Sequence, residues 1–180
     1  KTVASYRFAQ GRSARTSFVI VDAQSVKTTD LTKNSGYDGG KKISGIKRHM
    51  AVDINGLPQA ILVTRANVSD RSGALAMLSL ASQLSLASQN LELVQHVMVD
   101  GGYTGNDFAD QVKLILNAKT TVAKRNELHM FTVLPQRWIV ERSWSWLDKC
   151  RRLSKNCERA LNSSLQMVVL AFLKIDLKRY

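Results

Sequence analysis

Two four-residue runs constrain this chain more than anything else in it: Val19-Ile20-Val21-Asp22 and Val97-Met98-Val99-Asp100. In each, an apolar and largely β-branched triplet ends on a carboxylate. A continuous run of this kind reads as a strand covered on both faces of a sheet. The first run carries on through Ala23-Gln24-Ser25-Val26. In α/β sheets, ligands collect just outside the carboxyl ends of the strands. If the two strands are parallel neighbours, Asp22 and Asp100 stand side by side. Two close carboxylates repel unless one is protonated or a cation lies between them, and magnesium suits hard oxygen donors combined with water and phosphate. Taken singly, each Asp also reads as the opening of a turn after a strand. The repeated design favours a shared site.

Between the two runs lie a glycine-rich basic loop, Gly36-Tyr37-Asp38-Gly39-Gly40-Lys41-Lys42, and two strand-like stretches, Lys47 to Ile54 and Leu57 to Thr64. The latter flank Asn55-Gly56, a two-residue hairpin signal. Asn67-Val68-Ser69-Asp70 looks like a helix cap, with a helix from about Arg71 into the high eighties. Within it Leu-Ser-Leu-Ala-Ser-Gln occurs twice in tandem, at Leu78 to Gln83 and Leu84 to Gln89. A six-residue unit does not match the helical period, so this is a local duplication rather than a repeat architecture. After Asp100 a helix is expected over Asn106 to Leu116, then a short strand over Thr120 to Ala123. Helices over Arg137 to Leu153 and about Ala160 to Lys178 follow. In the last, Leu161, Leu165, Val168, Val169 and Phe172 share one face at helical spacing, as in a core helix. Asp53 and Asp70 read as hairpin and helix-cap residues. The order implies a mixed sheet, antiparallel strands first and parallel ones after, with helices on its faces. No linker divides it, so residues 1–180 are expected to form one domain, with 154–180 as a C-terminal helical segment.

A formal net charge of +12, from 26 Lys and Arg against 14 Asp and Glu, suits a partner made of phosphates. A hydrophobic content of 44% is that of a folding chain rather than a disordered one. Cys150 and Cys157, seven positions apart, would lie about 10 Å apart along one helix, too far for a disulfide. With only three scattered histidines (His49, His96, His129) they make no zinc pattern. Reduced thiols, the lack of a signal peptide and the lack of a membrane span imply a cytoplasmic protein. The chain opens on Lys1 rather than Met.

A third acidic residue lies in Arg137-Trp138-Ile139-Val140-Glu141-Arg142-Ser143-Trp144. Arg137 is one turn before Glu141 on the same helix face. An exposed helical ion pair would explain that spacing, but not the setting of Trp138, Trp144 and Trp146, which core packing would explain. Here the segments combine. Val21-Asp22-Ala23-Gln24-Ser25-Val26-Lys27, then Gly36 to Lys42 with Gly45-Ile46-Lys47-Arg48-His49, then Val99-Asp100-Gly101-Gly102-Tyr103, then Arg137 to Arg142 with Cys150-Arg151-Arg152-Leu153, resemble the successive motifs of DDE-type bacterial insertion-sequence transposases. They occur in that family's order and extend over about Phe18 to Leu153.

The resemblance implies a ribonuclease-H-like fold, with Asp22, Asp100 and Glu141 as the acidic triad. It implies two magnesium ions, with manganese as the alternative, flanking a scissile phosphate, and double-stranded DNA as substrate for strand cleavage and strand transfer. Lys41, Lys42, Lys47, Arg48 and His49, with Arg137, Lys149, Arg151 and Arg152, would then track the DNA backbone. A homo-oligomer on DNA is expected, and the separate N-terminal recognition domain is expected to be absent. Two positions depart from the family pattern. Leu134 stands where Tyr is usual, and Asp148 where Lys or Arg is usual, with Lys149 beside it as the substitute. On that reading Asp148→Lys would raise DNA affinity. The rival readings are a non-catalytic DNA-binding remnant and a nuclease or resolvase of the same fold.

Overall fold

β1 (Phe18–Lys27) is the strand around which the rest is arranged. Along one edge it pairs in parallel with β5 (His96–Val99), Phe18 opposite His96 and Ile20 opposite Met98. Along the other it pairs antiparallel with β3 (Ile43–Val52), from Ile20 opposite Val52 to Lys27 opposite Gly45. β2 (Gly36–Asp38) and β4 (Pro58–Arg65) share the far edge of β3, and β6 (Lys119–Val122) extends the sheet in parallel beyond β5. The computed structural model describes residues 2–29, 34–83, 91–123 and 136–178. The parallel neighbours expected from the two acidic runs are present, and the strands before them are antiparallel, as the element order implied.

Side chains alternate across a strand, so β1 divides its apolar residues between two cores. Val19 and Val21 point to one face, where α2 (Asp70–Gln83) and α3 (Asn106–Leu116) supply Ala74, Met77, Leu78, Phe108 and Val112. Ile20 points to the other, where α4 (Arg137–Asp148) and α5 (Leu161–Leu177) supply Ile139, Val140, Trp144, Leu147, Val168 and Phe172. Asp22 has the same parity as Ile20 and therefore faces α4. An N-terminal helix, α1 (Thr2–Ala9), was not expected; its Arg7 is buried and its Nη1 lies 2.5 Å from Asp53 Oδ2.

Several expected boundaries are corrected. The β3–β4 connection is a loop over residues 53–57 rather than a two-residue turn. Asp53 Oδ1 accepts from the backbone N–H groups of Asn55 and Leu57, which holds the chain in a wider loop, and only Gly56 takes a positive φ, +79°. The cap of α2 is Ser69, whose hydroxyl oxygen accepts from Ser72 N–H, and Asp70 is already helical. α4 ends at Asp148, and a short 3-10 turn over Arg151–Leu153 follows. The chain turns there because Leu153 is buried in the α4–α5 core and its carbonyl accepts from Arg48 of β3. On α5, Val168 and Phe172 are buried, but Val169, one step round the helix, is 42% exposed. The continuation of α2 past Gln83, the second hexapeptide copy, His129 and Leu134 lie outside the described residues.

Candidate active site

Asp22 lies within β1, not at its end, and Asp100 is the first residue after β5. Since Ile20 is opposite Met98 in a parallel pair, the residues two further on stand level, and these are the two carboxylates. Asp100 has extended backbone, and its Oδ1 accepts from Gly102 N–H (2.9 Å), which closes the 3-10 turn Gly101–Tyr103. A recess lined by Ile20, Asp22, Met98, Asp100, Arg137 and Val140 opens between them.

Asp22 is partly buried, against α4. Burial raises its carboxyl above the ordinary range; the indole N–H of Trp144, donating to Oδ2 at 2.8 Å, works against this, as do the backbone N–H of Ala23 and the Lys41 ammonium, while Asp100 adds to the rise. Glu141 is carried on α4, with its side chain 61% exposed, and its Oε1 lies 3.4 Å from Arg137 Nε. Arg137 Nη2 in turn lies 3.8 Å from Asp100 Oδ2. The Arg137–Glu141 contact is thus more than a surface pair along one helix, because the guanidinium also joins the helix to the strand carboxylate. It stands between Asp100 and Glu141, where like charges would otherwise face each other. Among the described residues no three His, Cys, Asp or Glu side chains converge closely enough to form a metal cage. The donors nonetheless suit a hard cation: two level carboxylates, one of them desolvated, gain most from a positive charge between them.

The basic residues separate into two groups. Lys41 and Lys42 are exposed on the loop before β3, and Lys41 Nζ donates to Ala23 O at 3.1 Å, beside Asp22. Lys149, Arg151 and Arg152 are exposed beyond the end of α4, with Arg152 paired to Glu158. The side chain of Arg137 is 34% exposed. Lys47, Arg48 and His49 do not join them, and the expectation that they track DNA is corrected. β3 is paired on both edges, so its three basic residues are buried: Arg48 and His49 on opposite faces of the sheet, and Lys47 at the floor of a cleft that it lines with Asp38 and Asp70. Lys47 Nζ is held by Asp70 (2.8 Å) and Asp38 (3.1 Å) and donates to Val68 O. Arg48 and His49 are 1% and 0% exposed, which leaves no route to a phosphate. Asp148, at the position usually basic, accepts from Gln24 Nε2 at 3.2 Å.

Two residues of this region were not singled out in the sequence as part of the site. Arg71, in the first turn of α2, donates from Nε to Gly102 O and borders an open cleft of about 630 Å³ with Gly40, Lys41 and Ser69. Trp144 reads in the sequence as one of three core aromatics; its place three residues after Glu141 was the available signal.

A mixed sheet of antiparallel then parallel strands, helices on both faces, and acidic side chains on one central strand and at the end of its parallel neighbour define a ribonuclease-H-like domain. The chain belongs to the transposase DDE domain family, whose match runs over residues 13–173. It is similar to the putative transposase for insertion sequence element IS402 of Burkholderia cepacia, 31% identical over 116 residues. That alignment covers 64% of this chain and 54% of the relative, so the match spans about half of the relative's length. No helix among the described residues is long and apolar enough to cross a membrane.

Proposed function

We propose that this chain is the catalytic domain of an insertion-sequence transposase, which cleaves DNA strands at element ends and transfers them to a target. The observation that carries the reading is the level placement of Asp22 and Asp100 on parallel strands, beneath the helix that bears Glu141. Family membership implies DNA as the partner, and transposases of this family generally use a divalent metal. Asp22, Asp100 and Glu141 would hold magnesium, or manganese in its place, with Glu141 joining when its ion pair to Arg137 opens. When bound, such ions activate a water or a DNA 3′-hydroxyl and stabilise the leaving oxygen of an in-line displacement.

The chain's own residues do the rest. Trp144 holds the partly buried Asp22 carboxylate in place at one side of the site. Arg137, freed from Glu141, is within reach of a phosphate at the same place. Lys41 and Lys42 on one side, and Lys149, Arg151 and Arg152 on the other, supply the charge that draws duplex DNA across it. A homo-oligomer assembled on DNA belongs to the same reading.

Asp22→Asn, Asp100→Asn and Glu141→Gln each keep the side-chain shape and remove a metal-binding charge. Each is expected to lower metal-dependent nicking of a duplex by at least about a hundredfold while leaving the circular dichroism spectrum and bulk DNA binding nearly unchanged. A single variant that nicks at the wild-type rate removes that residue from the triad. If the wild-type chain itself shows no metal-dependent nicking, it is a DNA-binding module without this chemistry.

A further inference from the structure

The contact between Trp144 and Asp22 joins residues 122 positions apart. Trp144 is 7% exposed, and an indole N–H can only donate, so away from water it needs an acceptor. An aliphatic residue or Phe would fill the same apolar cluster with no such requirement. The acceptor is a carboxylate oxygen, which makes the bond charge-assisted.

A second bond lies on the same seam. One turn beyond Trp144, Asp148 accepts from Gln24, two residues beyond Asp22 on the same face of β1. Four residues of helix advance about 6 Å, and two residues of strand about 6.6 Å. The two spacings match, so α4 is held against β1 in one longitudinal position. Because Glu141 is three residues before Trp144, the bond that fixes the Asp22 carboxylate also fixes the helix that presents Glu141.

We propose that Trp144 is a positioning residue for divalent cation binding: its indole N–H takes up one lone pair of Asp22 Oδ2 and fixes the carboxylate rotamer relative to α4. This rests on Asp22 being a metal ligand, as proposed above. Outer partners of metal-binding side chains act in this way by orienting the ligand before the ion arrives.

The test is a Mn2+ titration of the full chain by calorimetry, on wild type, Asp22→Asn and Trp144→Phe, with duplex nicking followed against Mn2+ concentration. Phe keeps most of the ring and removes the donor. The half-saturating Mn2+ concentration is expected to rise about tenfold in Trp144→Phe. Nicking at saturating Mn2+ should stay within about threefold of wild type, because the loss is in ion binding and not in the chemical step. A role in packing alone would lower the melting temperature and the amount of competent protein without moving the half-saturation point, and that result overturns the assignment. If Trp144→Phe does not fold, the same titration is made with benzothienylalanine at position 144, which retains the shape of indole with sulfur in place of N–H. Wild-type Mn2+ affinity in that protein also overturns the assignment, while the reading of Asp22 stands. Wild-type Mn2+ binding by Asp22→Asn removes Asp22 as a ligand and overturns both.

Discussion

His49 lies with its ring against Gly73 of α2, so close that a Cβ added there would be 2.0 Å from Cε1. His49 Nε2 is hydrogen-bonded to Thr64 Oγ1 at 2.9 Å. Burial, the main cause, lowers the His49 pKa from 6.5 to about 4; Asp70 opposes the shift, and Lys47 and Lys41 add to it. Between those values the unfolded chain binds a proton that the folded one refuses, so stability must fall as pH drops from about 6.5 towards 4. The loss should approach about 1.4 kcal/mol per pH unit, or roughly 3 kcal/mol in total. Urea unfolding from pH 7 to 4 measures it, and His49→Gln should flatten the curve in that window. An equally steep curve in the variant would place the proton elsewhere.

Asp148 presents a different case. Two of the three guanidinium nitrogens of Arg48 have no hydrogen-bond partner among the described residues. Burial lowers the Arg48 pKa to about 10, and Asp148 is the charge that opposes this. Lysine at 148 would lose the bond from Gln24 and set a second cation beside a buried one. Asp148→Lys is therefore expected to destabilise the fold by about 0.5–1 kcal/mol, since Asp148 is exposed and solvent screens its interactions. The sequence suggests only that this substitution strengthens DNA binding; the structure adds its cost. Unchanged urea stability in Asp148→Lys would show that Asp148 does not support Arg48.

Among the elements, α4 combines what is legible in sequence with what is not. Its start at Arg137 and the Arg137–Glu141 spacing follow from helical period, and both are observed. Its docking does not. The β3–β4 loop holds it from below: Arg142 Nη2 donates to Asn55 O and Ser143 Oγ to Gly56 O, while the Arg142 guanidinium lies 4.4 Å from the ring centre of Trp138 and 5.0 Å from that of Trp146. A side chain at Gly56 would collide with Ser143 and Trp146, so the Asn-Gly pair serves this contact as well as the loop. Trp138 and Trp146 are one turn from Arg142 along the helix, but Asn55 and Gly56 lie 87 positions from Arg142 and Ser143. β3 gives the converse lesson. Its run Lys47-Arg48-His49 reads as a charged surface, because the sequence shows charge but not that neighbouring strands flank both edges of β3. A buried, paired Lys and an exposed one look alike until their partners are placed.

For the molecule as a whole, the positive charge available to a ligand is smaller than the net +12 suggests, since Arg7, Lys47 and Arg48 are buried. Binding to duplex DNA should still weaken steeply with salt, about tenfold or more between 50 and 200 mM, and with little sequence preference. Lys149→Ala with Arg151→Ala should reduce the slope of log affinity against log salt by about two. Tight binding to one sequence that persists at high salt would refute this, and so would an unchanged slope. Sequence alone determined the strands that carry Asp22 and Asp100, the helices around them and the family motifs, because each depends on local period and residue type. Tertiary structure alone decided which cations face solvent, that Trp144 holds Asp22, and that Arg137 stands between Asp100 and Glu141. Those outcomes depend on which distant segments pack together, and burial and the field of neighbouring charges exist only after that packing is made.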